Sequence, residues 1–89
     1  MQTPPSQRQL KVGEELRHAL SDIFIREDFY TAEGKTLKVT VSEVRISPDL
    51  KNATVFVMPL GGKDLEKTLS ALKELALEIR HHLKKRILL

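Results

Sequence analysis

Catalysis by side chains needs an acid, a base or a nucleophile converging on one point, and the candidates in this chain are few. Glu14-Glu15 and Glu27-Asp28 are paired carboxylates. Sequence neighbours point to different sides of a helix, so neither pair is placed to share a proton, and both read as solvated. His81 and His82 are adjacent rather than three or four residues apart. With no cysteine in the chain and several cations around them, they make a poor divalent-metal site. His18 and Asp22 stand at i and i+4, the spacing of a surface pair. Gly61-Gly62-Lys63 has the glycines and lysine of a phosphate-binding loop, but lacks its full spacing and the Ser or Thr that should follow. It reads as a strand-to-helix turn. A hydrolase or metal enzyme is therefore the least supported class, and the chain calls for no cofactor.

The residues with a directed chemistry are the cations of RHHLKKRILL. The formal net charge is +3, and it is unevenly placed: residues 1–62 hold eight Lys or Arg against eight Asp or Glu, whereas residues 80–89 hold four against none. Arg80, Lys84, Lys85 and Arg86, with Arg8, Lys11 and Arg45 as outlying additions, can neutralise phosphates by Coulombic contact. Arg80 and Lys84 lie one helical turn apart and can face one backbone together. The plain alternative is a solvated helix terminus, where cations also favour the negative end of the macrodipole. The only aromatics are Phe24, Phe29, Tyr30 and Phe56. With Phe24 and Phe56 on or near core faces, few rings are left for bases, so recognition by shape and backbone is expected.

Periodicity sets the elements that must hold these residues. Ser6 with Gln9 fits a capping box, opening a helix from Gln7 to Arg26 behind a loose leader at residues 1–5. On it Val12, Leu16, Ala19, Leu20, Ile23 and Phe24 share one face. REDFYTAEGK mixes charge, aromatics and Gly, as in a loop carrying ordered side chains onto the core. Strands follow at about Leu37–Ile46 and Ala53–Met58, joined through Ser47-Pro48-Asp49 and paired antiparallel. In the first, Leu37, Val39 and Val41 fall on odd positions but Val44 and Ile46 on even ones. One extra residue near Ser42 and Glu43, a β-bulge, brings both sets to one face. After Gly61-Gly62, Asp64 is placed to cap a helix whose Leu65, Leu69, Leu72, Ala76, Ile79, Leu83 and Ile87 form a stripe suited to covering the sheet. At about 1.5 Å per residue that helix exceeds the length a hairpin needs, so a break or a protruding end is expected.

The composition is that of one small folded domain: 89 residues, 40% hydrophobic and 30% charged, without cysteine to cross-link it. No apolar run reaches the roughly 20 residues of a membrane span, and the opening lacks the apolar core of a secretory signal, which places the chain in the cytoplasm by default. A two-stranded hairpin is seldom a sufficient sheet, and the sequence stops on an apolar ILL, so a further strand beyond residue 89 is expected.

VTVSEVRISPDLKNATVFVMPLG resembles the central hairpin of the ribosome-binding factor A family. Val41-Ser42-Glu43-Val44, Ser47, Asp49-Leu50, Ala53 and Val55-Phe56-Val57 fit its pattern in order and spacing. QRQLKVGEELRHALSDIF is similar to the family's first helix, and ALKELALEIRHHLKKRI to its later helical region. The resemblance implies an α+β, KH-like (type II) domain over residues 6–89, of order helix-strand-strand-helix-helix-strand with the last strand missing. It implies a monomeric assembly factor that binds the small (30S) ribosomal subunit and its rRNA, assists late 16S rRNA maturation and matters for growth in the cold. No membrane or small-molecule substrate is implied. The family breaks its later helix with an Ala-x-Gly element, where this chain has Leu75-Ala76-Leu77. Without that glycine, either the helix bends for tertiary reasons or it runs straight. The competing reading is a protein-binding module that accepts a partner strand at an exposed sheet edge. Ionic strength separates the two, since phosphate docking weakens steeply with salt.

Overall fold

The computed structural model describes residues 4–62 and 64–86. Along the chain they form α1 (Gln7–Arg26), β1 (Val39–Ile46), β2 (Ala53–Pro59), α2 (Leu65–Glu74) and α3 (Ala76–Arg86). This helix-strand-strand-helix-helix order is the one expected for a KH-like α+β domain. Ile87, at the end of the expected stripe, and Lys63 lie outside the described residues.

The capping box opens α1 as its sequence requires. Gln9 N donates to Ser6 Oγ at 3.1 Å and Ser6 N to Gln9 Oε1 at 2.8 Å, satisfying two orphan donors reciprocally. Gln9 Nε2 also reaches the Ile46 carbonyl at 2.9 Å, fixing the start of α1 to the end of β1. Leu20, Ile23 and Phe24 are buried on the inner face of α1, with Val12 and Leu16 packed half-exposed beside them. The connection to β1 behaves as an ordered loop. Phe29, 1% exposed, packs its ring 5.4 Å from that of Phe24, and the Phe29 carbonyl accepts from Leu37 N at 2.8 Å, so both Phe29 and Leu37 enter the core.

The two strands pair antiparallel with the register Val41↔Val57, then Glu43↔Phe56, leaving Ser42 as the extra residue. Its hydroxyl donates to the Phe56 carbonyl at 3.1 Å and so secures the bulge. The expected change of step thus occurs where the alternation breaks, and it turns Val41, Val44 and Ile46 together toward α1. The sheet comes so close to the helix that a Cβ on Gly13 would lie 2.6 Å from the Val44 carbonyl oxygen. Only glycine permits that approach without displacement.

The second half of the chain departs from its pattern at Asp64 and Leu65. Asp64 occupies the cap position of α2, but in left-handed conformation (φ 59°) and without a side-chain cap hydrogen bond. Its carbonyl accepts from Thr68 N at 2.9 Å instead. Leu65 and Leu69, assigned by periodicity to the covering stripe, are 49% and 42% exposed, while Thr68 and Ala71 are buried. Leu69 nevertheless lines one groove with Leu72, Ala76, Ile79 and Leu83, so the stripe holds from Leu69 onward and Leu65 alone among its described residues falls outside it. Finally, the long helix does break, at Leu75 (φ −90°, ψ 2°), without any glycine. Leu75 packs half-buried against the core, whereas Leu77, aligned with the family's glycine, is 79% exposed. Leu75, Ile79 and Leu83 pack against the core from this point on, and Leu75 N still donates to the Ala71 carbonyl at 3.0 Å.

Candidate nucleic-acid interface

With α1 behind the sheet and α3 beside α1, the half-exposed stripe residues Leu72, Ile79 and Leu83 face Val12, Leu16 and Leu20 of α1 and Val55 and Val57 of β2 across a groove of about 910 Å³. Arg80 and Lys84 stand on its border from successive turns of α3. Both are exposed, as is Lys85. Among the described residues none of the three is ion-paired.

Arg86 is used differently. Its Nη1 donates to Asp22 Oδ2 on α1, and Arg26 Nε donates to the other carboxylate oxygen at 2.8 Å. The Arg26 hydrogen bond, with the charge of Arg86 added, holds the Asp22 carboxyl below the usual carboxylate range. One turn earlier, the His82 ring stands edge-on to Phe29, with centroids 5.8 Å apart, and its Nδ1 lies 3.7 Å from Glu27 Oε1. Arg86 and His82 thus fasten α3 to the end of α1, leaving Arg80, Lys84 and Lys85 directed to solvent.

The outlying cations are not gathered to this point. Arg8 and Lys11 are exposed on the first turns of α1 and do not border the groove. Arg45 lies on the outer face of the hairpin, its guanidinium 5.1 Å from the Phe56 ring centroid and its Nε 3.3 Å from Glu43 Oε1. Phe56 is 40% exposed there, so its assignment on or near a core face is corrected. The reason is the pairing itself, because Val55 and Val57 take the inner positions of β2 opposite Val44 and Val41. The alternation of Ala53, Val55 and Val57 against Thr54, Phe56 and Met58 already carried that signal.

The other polar pairs hold structure. His18 meets Glu14 at 3.3 Å rather than Asp22, whose oxygens are taken by Arg26 and Arg86. Glu14 also accepts from Arg17 at 2.5 Å, and that hydrogen bond lowers its pKa from the ordinary 4.5. In the hairpin turn Asp49 Oδ1 accepts from Ser47 Oγ at 2.5 Å and from Lys51 N at 3.1 Å, which lowers its pKa as well. Glu27, expected to be solvated, sits beside His82. Among the described residues no three His, Asp or Glu side chains are grouped to hold a metal ion, and no helix is long and apolar enough to cross a membrane.

The arrangement is a small α+β unit with exposed cations along α3, and comparisons with known proteins agree on where it belongs. The family model for ribosome-binding factor A matches residues 8–89. The ribosome-binding factor A of Cereibacter sphaeroides is 52% identical over 87 residues, covering 98% of this chain and 62% of its relative. Those of Paramagnetospirillum magneticum and Paracoccus denitrificans are 50% and 54% identical over 84 and 79 residues, covering 94% and 89% of this chain. Of those two relatives' own lengths the matches cover 59% and 57%, so the chain spans about three-fifths of the curated proteins it resembles. A family match reaching from the second residue of α1 to the last residue of the chain, joined to about 50% identity, makes this chain a member of the ribosome-binding factor A family.

Proposed function

We propose that this chain docks on the small ribosomal subunit during its assembly, contacts 16S rRNA, and assists late rRNA maturation without catalysing a reaction. On this reading it works in the cytoplasm as a monomer, without a cofactor, and matters most in the cold, where misfolded RNA is slow to rearrange. Residues 6–89 act as one domain behind the leader at 1–5, and the family's further strand completes the sheet. Family membership supports a ribosome-associated role. The observation that carries the rRNA contact is the pair Arg80 and Lys84, exposed on one side of α3 with Lys85 beside them and without a carboxylate partner among the described residues. Arg86 contributes by positioning α3, and Arg8, Lys11 and Arg45 provide peripheral charge.

The test is co-sedimentation with isolated small and large subunits at two salt concentrations. Wild type is expected with the small subunit only. Arg80→Ala and Lys84→Ala together should weaken binding and lower the salt slope by about two units, one for each phosphate no longer neutralised. Unchanged affinity and slope would move the rRNA surface elsewhere on the domain. The strand-addition reading retains one supporting observation, since each strand of the two-stranded sheet keeps an unpaired edge among the described residues. Binding through such an edge would be nearly insensitive to salt.

A further inference from the structure

The outer face of the hairpin is formed by Thr40, Glu43 and Arg45 of β1 opposite Met58, Phe56 and Thr54 of β2. All six are exposed, in a domain whose α1 packs against the inner face. Phe56, 40% exposed, and Met58, 58% exposed, place apolar surface at the centre of this face. Phe56 is also not bare. The Arg45 guanidinium lies over its ring at 5.1 Å, and Glu43 holds the Arg45 Nε at 3.3 Å. Glu43 therefore orients the guanidinium on the ring while leaving its terminal nitrogens open to water.

We propose that Phe56 and Arg45 form a stacking platform for an unpaired nucleobase, a second RNA contact distinct from the cations of α3. This rests on the reading that the chain meets rRNA, and supplies the base-level contact that its phosphate-directed cations lack. A guanidinium lying over a ring offers its own outer plane, and the ring its uncovered surface, for a base to stack on, and the open N–H groups can donate to a base edge or to the following phosphate. Thr40, opposite Met58, and Thr54, opposite Arg45, add hydroxyls to the same face. A protein partner fits less well. A stable protein interface needs about 800 Å² from each side around an apolar centre, whereas of these six side chains Phe56 and Met58 alone are large and apolar. The face is suited to single strands, because a base within a duplex keeps its faces covered by its neighbours.

The chain contains no tryptophan, so Phe56→Trp places a single indole on the platform. Titration with a ten-nucleotide oligouridine is expected to quench its emission, while a duplex of the same length quenches it little. Phe56→Leu keeps an apolar side chain at an exposed site and should preserve the urea midpoint. It should lower oligouridine affinity at least about fivefold, the low end for one base stacked on one ring, and Phe56→Tyr should restore it. Unchanged affinity in Phe56→Leu, or constant Trp emission while a labelled oligouridine saturates, overturns the platform. Failure of the wild-type chain to sediment with the small subunit, with quenching by oligouridine intact, counts against the docking reading and supports the platform. Normal sedimentation without quenching has the opposite meaning.

Discussion

Gly13→Ala tests the packing of α1 on the sheet, because two effects of known size oppose each other there. In a solvated helix, Ala in place of Gly stabilises by about 1 kcal/mol. At position 13 the new Cβ would meet the Val44 carbonyl oxygen at 2.6 Å and Ile46 Cγ1 at 3.6 Å. Ordinary contact begins at 3.4 Å, so α1 must withdraw from β1 by up to 0.8 Å, the difference between 3.4 and 2.6 Å. The obstacle is backbone held in the β1–β2 ladder, which cannot rotate away as a side chain would. Overpacking of this kind costs about 1–3 kcal/mol, and a gap of 0.5–1 Å forfeits a quarter to a half of the dispersion between the facing surfaces. The opposing contributions leave a net loss of roughly 1 kcal/mol and at most about 2. Urea unfolding should show a midpoint lower by about 0.5–1 M. Ser70→Ala, at an exposed position on α2, is the control and should shift stability by no more than about 0.5 kcal/mol. A Gly13→Ala midpoint equal to or above that of wild type would refute the close approach of α1 to Val44.

Acid should destabilise the domain through Glu14, Asp22 and Asp49. Each folded-state pKa is lowered from its ordinary value, 4.5 for Glu14 and 3.8 for the aspartates. Their stabilisation is then complete above those values and is lost as pH falls below about 4.5 and through the lowered pKa values. Thermal unfolding of wild type and Asp22→Asn at pH 7 and pH 3 should show a smaller acid-induced drop in the variant, and equal drops would exclude Asp22. Arg86→Ala should lower the urea midpoint, because it releases α3 from Asp22, whereas Lys85→Ala should leave it unchanged. Equal effects would deny Arg86 its structural role. A chain carrying the further strand implied by the family should have a higher urea midpoint than this one if that strand covers the groove, since each additional apolar side chain buried contributes about 1.5–3 kcal/mol before entropy. An unchanged midpoint would leave the groove without that occupant.

What could be read from the sequence was whatever depends on neighbours along the chain. The capping box at Ser6 and Gln9, the limits of α1, the antiparallel pairing and the bulge at Ser42 each follow from local spacing, and each appears in the structure. Phe29 could be anticipated as a loop residue on the core, because the polar segment around it carries aromatics, although its neighbour Tyr30 is 54% exposed. The face of α2 could not be read in this way. Leu65 fits the helical period of Leu69 and Leu72, yet it is 49% exposed and lies outside the groove that those two line, while Thr68 and Ala71 are the buried residues of α2. The period alone does not weigh size against hydrophobicity. Asp64 has the residue type of a cap, but the left-handed backbone that follows Gly61 and Gly62 turns its side chain away from the donors.

The cations show the same division between what is local and what is not. Sequence places Arg80, Lys84, Lys85 and Arg86 on one helix end, but it cannot say which of them faces an anion from outside and which faces one from within. Asp22 lies 64 residues from Arg86, and only the docking of α3 along α1 brings the two charges together. Leu75, where α2 gives way to α3, packs against the same core as Leu83. The direction in which Arg80 and Lys84 point is therefore set by Leu75, His82 and Arg86, none of which needs to touch RNA. Variants at those three positions are expected to weaken subunit binding by misdirecting the two exposed cations. They should do so while leaving much of the salt slope in place, because the charges of Arg80 and Lys84 themselves remain.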